Sequence, residues 1–94
     1  MKDLERETVE KIESEFKQLK KKGKMDVDDQ ERILYNLSGL LGWYAQDYNP
    51  KIRNLIKEMI AFSDSQLWDT GSYELSFKQI EKKREKYEKN KKAT

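Results

Sequence analysis

The stretch that decides the fold is Ile33–Trp68, ILYNLSGLLGWYAQDYNPKIRNLIKEMIAFSDSQLW, in which 19 of 36 residues are apolar and both tryptophans fall. Read at helical spacing it separates into two segments. In the first, Leu34, Leu37, Leu41, Tyr44 and Tyr48 step by three and four residues. Ile33, Leu40 and Trp43 add a second stripe beside them, so a broad apolar arc results. In the second, Ile52, Leu55, Met59 and Phe62 form one stripe, with Ile56, Ile60 and Leu67 on its neighbour. Asn49-Pro50 divides the two. Proline disfavours helical geometry in the residue before it but suits the first position of a new helix, with asparagine as the cap.

Working outward, the flanks are mostly lysine and glutamate. Upstream, Val9, Ile12, Phe16 and Leu19 make a single narrow stripe that predicts a helix over 3–22, ended by Gly23. Its charges run from acidic to basic, the order favoured by the helix macrodipole. The acidic patch Asp26, Asp28, Asp29 precedes the second helix, predicted over 28–48, with Asp28 and Glu31 expected to cap it. The third is predicted over 50–67. Trp68 to Gly71 then forms a connector, and Ser72 is the expected cap of a fourth helix over 72–90. There Tyr73, Phe77, Ile80, Arg84 and Tyr87 recur at steps of four and three. Tyr73, Leu75 and Phe77 also alternate with period two, but a lone strand would have nothing to pair with. The basic tail is expected to fray from about Lys89.

Four helices of matched length joined by short connectors predict an all-α, up-down-up-down four-helix bundle occupying all 94 residues as one domain. A competing arrangement docks the two broad-faced helices on a second copy, giving a dimer, because two narrow helices may not cover both arcs. Charged residues make up 40 % of the chain and apolar ones 35 %, the composition of long helices rather than of an ordinary mixed domain. Gly39 and Gly42, each about 1 kcal/mol worse than alanine inside a helix, combine with Ser38 and Ala45 into a small-residue face. That face predicts a close helix crossing.

Function is much less legible. With neither histidine nor cysteine, acid-base work would fall to a perturbed carboxylate or lysine, and no spacing singles one out. No catalytic residue, metal ligand or cofactor site is expected. Asp26-Val-Asp28-Asp29-Gln-Glu31 begins like a calcium loop but has Glu31 where glycine is required and Leu37 where the closing glutamate belongs. The charged opening residues contain no apolar core of a secretory signal, and the longest mainly apolar run, 33–45, is shorter than the roughly 20 residues of a membrane span. A cytoplasmic location is the default expectation.

Two surfaces remain as candidates. Tyr35 and the residues assigned here to partner binding, Trp43, Tyr44, Tyr48, Trp68 and Tyr73, are expected to cluster around the hairpin of the second and third helices, where a protein partner or second copy could dock. Small helical bundles of this size serve as regulatory partners, antitoxins, immunity proteins and accessory factors. The alternative is weak, nonspecific nucleic-acid binding through Lys20, Lys21, Lys22 and Lys24 together with Lys82, Lys83, Arg84 and Lys86. Lysines outnumber arginines 16 to 4, which disfavours bidentate reading of bases. The bundle also predicts internal pairing of these tracts, with the end of the fourth helix beside the acidic start of the first and the end of the first beside Asp26, Asp28 and Asp29.

Overall fold

The computed structural model describes residues 3–93, with side chains from 5 to 90. It consists of α1 (Asp3–Lys22), α2 (Val27–Asp47), α3 (Pro50–Ser65) and α4 (Gly71–Ala93). The four-helix bundle is therefore all-α as expected, but its helices are not matched: α3 has 16 residues and α4 has 23. Side-chain contacts fix the directions. Phe16 meets Phe62 edge-on and Lys51 pairs with Glu10, so α1 runs parallel to α3. Tyr44 packs on Phe77 and Tyr48 on Tyr87, so α4 runs parallel to α2.

The α2–α3 hairpin forms the centre. α1 packs on both of its helices, and α4 packs chiefly on α2 while reaching α3 through Arg53–Glu81. Among the described residues α1 and α4 form no packed pair, which places them on opposite flanks of a flattened body measuring 50 × 30 × 16 Å. The expected pairing of the α4 basic end with the acidic start of α1 is thereby corrected: the hairpin lies between them. Between α1 and α2 the expectation holds. Lys22 Nζ lies 2.8 Å from Asp29 and 3.7 Å from Asp26, and this contact holds Asp29 below its ordinary pKa and raises that of Lys22.

Ile33, Leu37, Leu40, Leu41 and Tyr44 from α2 and Ile52, Leu55, Ile56 and Met59 from α3 are buried, and α1 adds Val9, Ile12 and Phe16. From α4 only half-buried Tyr73, Phe77 and Ile80 lie against this core. Wide apolar arcs thus became the centre, and the narrow stripes became flanking helices. Among the described residues no helix is long and apolar enough to cross a membrane.

Helix ends follow local chemistry, with three corrections. The cap of α2 is Asp26, not Asp28: the Asp29 amide donates to Asp26 Oδ1 at 2.8 Å, and the Asp26 amide donates to Asp29 Oδ2 at 3.3 Å. This reciprocal box satisfies two amide donors, whereas Asp28 points into solvent in the first turn. Asn49 caps α3 as expected, accepting from the amides of Lys51 and Ile52 ahead of Pro50 at the first position. Gly23, at φ 80°, ends α1 as expected. The residue ahead of α4 is Thr70 rather than Ser72. Thr70 is buried, its hydroxyl donates to Asp64, and its carbonyl accepts from the Glu74 amide.

The third correction lies at the end of α3, which stops at Ser65 instead of Leu67. The Trp68 amide donates to the Ser63 carbonyl and the Leu67 amide to that of Asp64, the paired bonds of a Schellman turn. Trp68 folds back edge-on against Phe62, 6.0 Å between ring centroids. That packing draws the chain round and leaves Leu67 at φ 64° with 93 % of its surface exposed. A leucine in the left-handed region costs about 1–2 kcal/mol, partly offset in glycine by the greater freedom of its unfolded chain. Leu67→Gly should therefore raise stability by about 0.5–1 kcal/mol in urea melts, because no burial is lost.

Candidate functional site: the exposed face of α2 and the α1–α2 groove

At 100° per residue, Tyr35, Ser38, Gly39, Gly42 and Ala45 fall on the side of α2 opposite Ile33, Leu37, Leu40 and Tyr44. All five are exposed. The expected close helix crossing at this face is not made within the chain. A β-carbon built on Gly39 or Gly42 would meet nothing within 4 Å. Tyr35 projects from the same surface with 80 % of its area exposed.

Along one edge of this face, between α1 and α2, lies a groove of about 550 Å³. Ser38 and Gly39 line its α2 side together with half-buried Trp43, with Tyr35 at its lip; Thr8, Lys11, Ile12 and Glu15 come from α1. Glu15 Oε1 is buried without a hydrogen bond, and the Arg32 Nε lies 3.4 Å from it. The groove thus offers an indole wall, a phenol at the rim and a floor with almost no side chain. Its shape suits a bulky side chain from another molecule, with the backbone of that molecule drawn close over the glycines. Among the described residues no group of three or more acidic side chains is arranged to hold a metal ion.

The aromatic residues expected to cluster around the α2–α3 hairpin lie at different depths and at both of its ends. Tyr44, named with the partner-binding residues, is wholly buried in the core, and its hydroxyl donates to Glu81 Oε1 at 2.8 Å. Tyr48 is half-buried on the α4 side at the end of α2, between Tyr44 and Tyr87. Trp68 lies at the other end of the hairpin, where α3 stops, and Tyr73 is half-buried against the core at the start of α4. Trp43 alone among the five partner-binding residues enters the groove. Tyr35, the residue that commands it, sits on a turn whose outward direction could have been read from its 200° rotation relative to Ile33.

Where α2, α3 and α4 meet, Glu81 is the centre of a network that sequence patterning did not reveal. Oε1 accepts from the Tyr44 hydroxyl and from Arg53 Nε at 2.6 Å; Oε2 accepts from Arg84 Nε at 3.0 Å and Nη2 at 2.8 Å. Burial pushes the Glu81 carboxyl up, but the hydrogen bonds from Arg53, Tyr44 and Arg84 outweigh it and hold the group below its ordinary value. Burial raises the pKa of the Tyr44 phenol, and its bond to anionic Glu81 adds to this. Arg84 also donates to Glu88, and Glu81 holds its guanidinium in the charged form. This arrangement joins helices.

Ion pairs take up part of the predicted basic surface. Arg84 is committed to Glu81 and Glu88, and Lys22 to Asp29 and Asp26. Lys20 lies over the Phe16 ring, 4.6 Å from its centroid, while Lys21, Lys24, Lys82, Lys83 and Lys86 are exposed. Because α1 and α4 are antiparallel, the two lysine tracts stand at opposite ends of the bundle and form no common patch. In comparisons with protein-family models, curated proteins and solved structures, nothing matches the chain, so the face of α2 must be read from its own geometry.

Proposed function

We propose that this chain is a noncatalytic helical module of the cytoplasm that acts by binding another protein across the exposed face of α2 and the α1–α2 groove. The carrying observation is the pair of helix-interior glycines whose outward surface none of the described residues covers. Each costs about 1 kcal/mol relative to alanine, and no close packing within the bundle offsets that. A partner helix or loop approaching over them would supply the offset, anchored by Trp43 and Tyr35. Aromatic side chains of this kind dominate interface energetics because they bury much area at little entropic cost. An enzymatic reading has less support, since among the described residues Glu15 is the only carboxylate lining the groove and it is paired with Arg32.

The test joins stability to binding. Gly39→Ala and Gly42→Ala have room for their methyl groups, so each should stabilise the isolated chain by about 1 kcal/mol. The same substitutions should weaken capture through a photo-crosslinking residue at position 35 in host cells. Exposed Glu58 on α3 serves as the control position. A discrete adduct from position 35, lost in the double alanine variant, supports the reading, and an adduct of two chains would make the partner a second copy. Equal labelling from positions 35 and 58, or an adduct indifferent to both alanines, would sink it.

A further inference from the structure

The solvent side of α4 carries a second surface unrelated to the groove. α4 starts where α3 ends, runs antiparallel to it and is seven residues longer, so its last two turns extend about 10 Å past the start of α3. Along the outer side of this helix, Lys78, Lys82, Lys86 and Lys89 fall within an arc of about 80° and span about 17 Å. All four are exposed, as is Lys83 beside them.

The acids of α4 lie elsewhere. Glu74, Glu81, Glu85 and Glu88 occupy an adjoining arc of about 60°, between the lysines and the buried side of the helix. Glu81 is taken up by Arg53 and Arg84, Glu88 by Arg84, and Glu74 sits 3.2 Å from the Thr70 hydroxyl. Exposed Glu85 is the one acid left at the border of the lysine stripe. The Glu81 network therefore does more than join helices: it removes negative charge from the neighbourhood of the lysines. A helix with eight basic and four acidic residues consequently presents a strongly cationic side.

We infer that the outer face of α4 is a docking surface for the phosphodiester backbone of duplex nucleic acid, engaged without sequence preference. Three observations favour this occupant. Between Lys78 and Lys89 the stripe includes no apolar side chain, only Gln79, and the exposed Leu75 on its line stands alone beyond its end, so the face lacks the apolar cluster on which a protein interface or an inserting membrane helix depends. The lysines form a straight row that follows a regular line of phosphates. Past Tyr87, which packs on Tyr48, the end of α4 continues as a single helix, and a helix about 10–12 Å across matches a major groove of about 12 Å.

Four phosphate contacts give a slope of log K against log salt of about −3.6. The test is fluorescence anisotropy of a short labelled duplex titrated with the full chain between about 50 and 200 mM salt. Lys82→Ala/Lys86→Ala should reduce the slope by about 1.8 and weaken binding about 60-fold at 0.1 M salt. Lys20→Ala/Lys21→Ala, at the opposite end, should leave both within twofold. Circular dichroism verifies that both variants fold, as exposed alanines in helices should allow. Absence of binding at the lowest salt overturns the proposal, as does equal weakening by the α1 pair. Tighter binding to phosphatidylserine vesicles than to the duplex, sensitive to the same two lysines, would overturn it in favour of a membrane surface.

Discussion

Leu40→Ala should lower the free energy of unfolding by about 3 kcal/mol and the melting temperature by about 15 °C, the largest effect of any single truncation considered for this chain. Leu40 is fully buried on α2, the helix against which α1, α3 and α4 all pack. Truncation there removes apolar contacts and leaves a cavity that three neighbouring helices would have to close together. A chain of this length has roughly 5–14 kcal/mol of total stability. With 12 buried apolar side chains among the described residues and none of these from α4, this one belongs near the lower end, so the loss is a large fraction of the whole. Urea unfolding followed by circular dichroism measures it. A loss below about 1 kcal/mol would mean that α2 is not the common packing element.

Removing Glu81 has the second-largest expected effect. Its side chain is 16 % exposed and accepts from three donors on three helices. Hydrogen bonds to charged groups contribute about 1.5–3 kcal/mol, and removing one partner strands the others, so Glu81→Ala should cost about 2–3 kcal/mol. Tyr44→Phe, which deletes one neutral donor and retains the ring, should cost about 1 kcal/mol. The pH dependence separates charge from packing. Because the folded state holds Glu81 below its ordinary 4.5, its contribution is fully present above that pH and is lost as pH falls through the lower folded value. Wild type should therefore lose stability on acidification below about pH 4.5, and Glu81→Gln should flatten much of that slope. Asp29, held down by Lys22, leaves a residual acid dependence in the variant. Tyr44 acts at the other extreme: its raised phenol pKa favours the folded state below pH 10, and that preference is lost as pH rises further. An acid slope unchanged in Glu81→Gln would show that the network does not couple folding to ionisation.

If α4 uses its outer lysines on a polyanion, Glu81 links stability to that surface. Its substitution would free Arg84 and Arg53 while weakening the seat of α4 on the bundle. Duplex binding by Glu81→Gln at neutral pH would then be altered less than its stability, because the exposed lysine row does not depend on Glu81 for its place on the helix.

Most of the fold was written in the residue pattern. The steps of Val9, Ile12, Phe16, of Leu37, Leu41, Tyr44 and of Ile52, Leu55, Met59 specify three amphipathic helices, and Asn49-Pro50 and Gly23 divide them. These are local signals, since period, capping and proline geometry act within one or two turns. The outward direction of Gly39 and Gly42 was legible too, because 100° per residue sets them opposite the core stripe. The expectation of a close crossing attached meaning to small residues without asking which way they face.

Tertiary structure decided the rest. Nothing local to 66–68 stops α3, since Leu67 enters the left-handed region only when Trp68 finds Phe62 to pack against. Nothing local to Glu81, one of many glutamates, marks it out until Tyr44 and Arg53, 37 and 28 residues away, converge on it. The separation of the basic tracts likewise depends on which helices are neighbours. Sequence alone determined where the helices are and which side of each is apolar, because those depend on short-range periodicity. Only the packed bundle determined which charges are neutralised and which apolar surface stays open, because pairing between distant residues depends on the order and direction in which helices assemble.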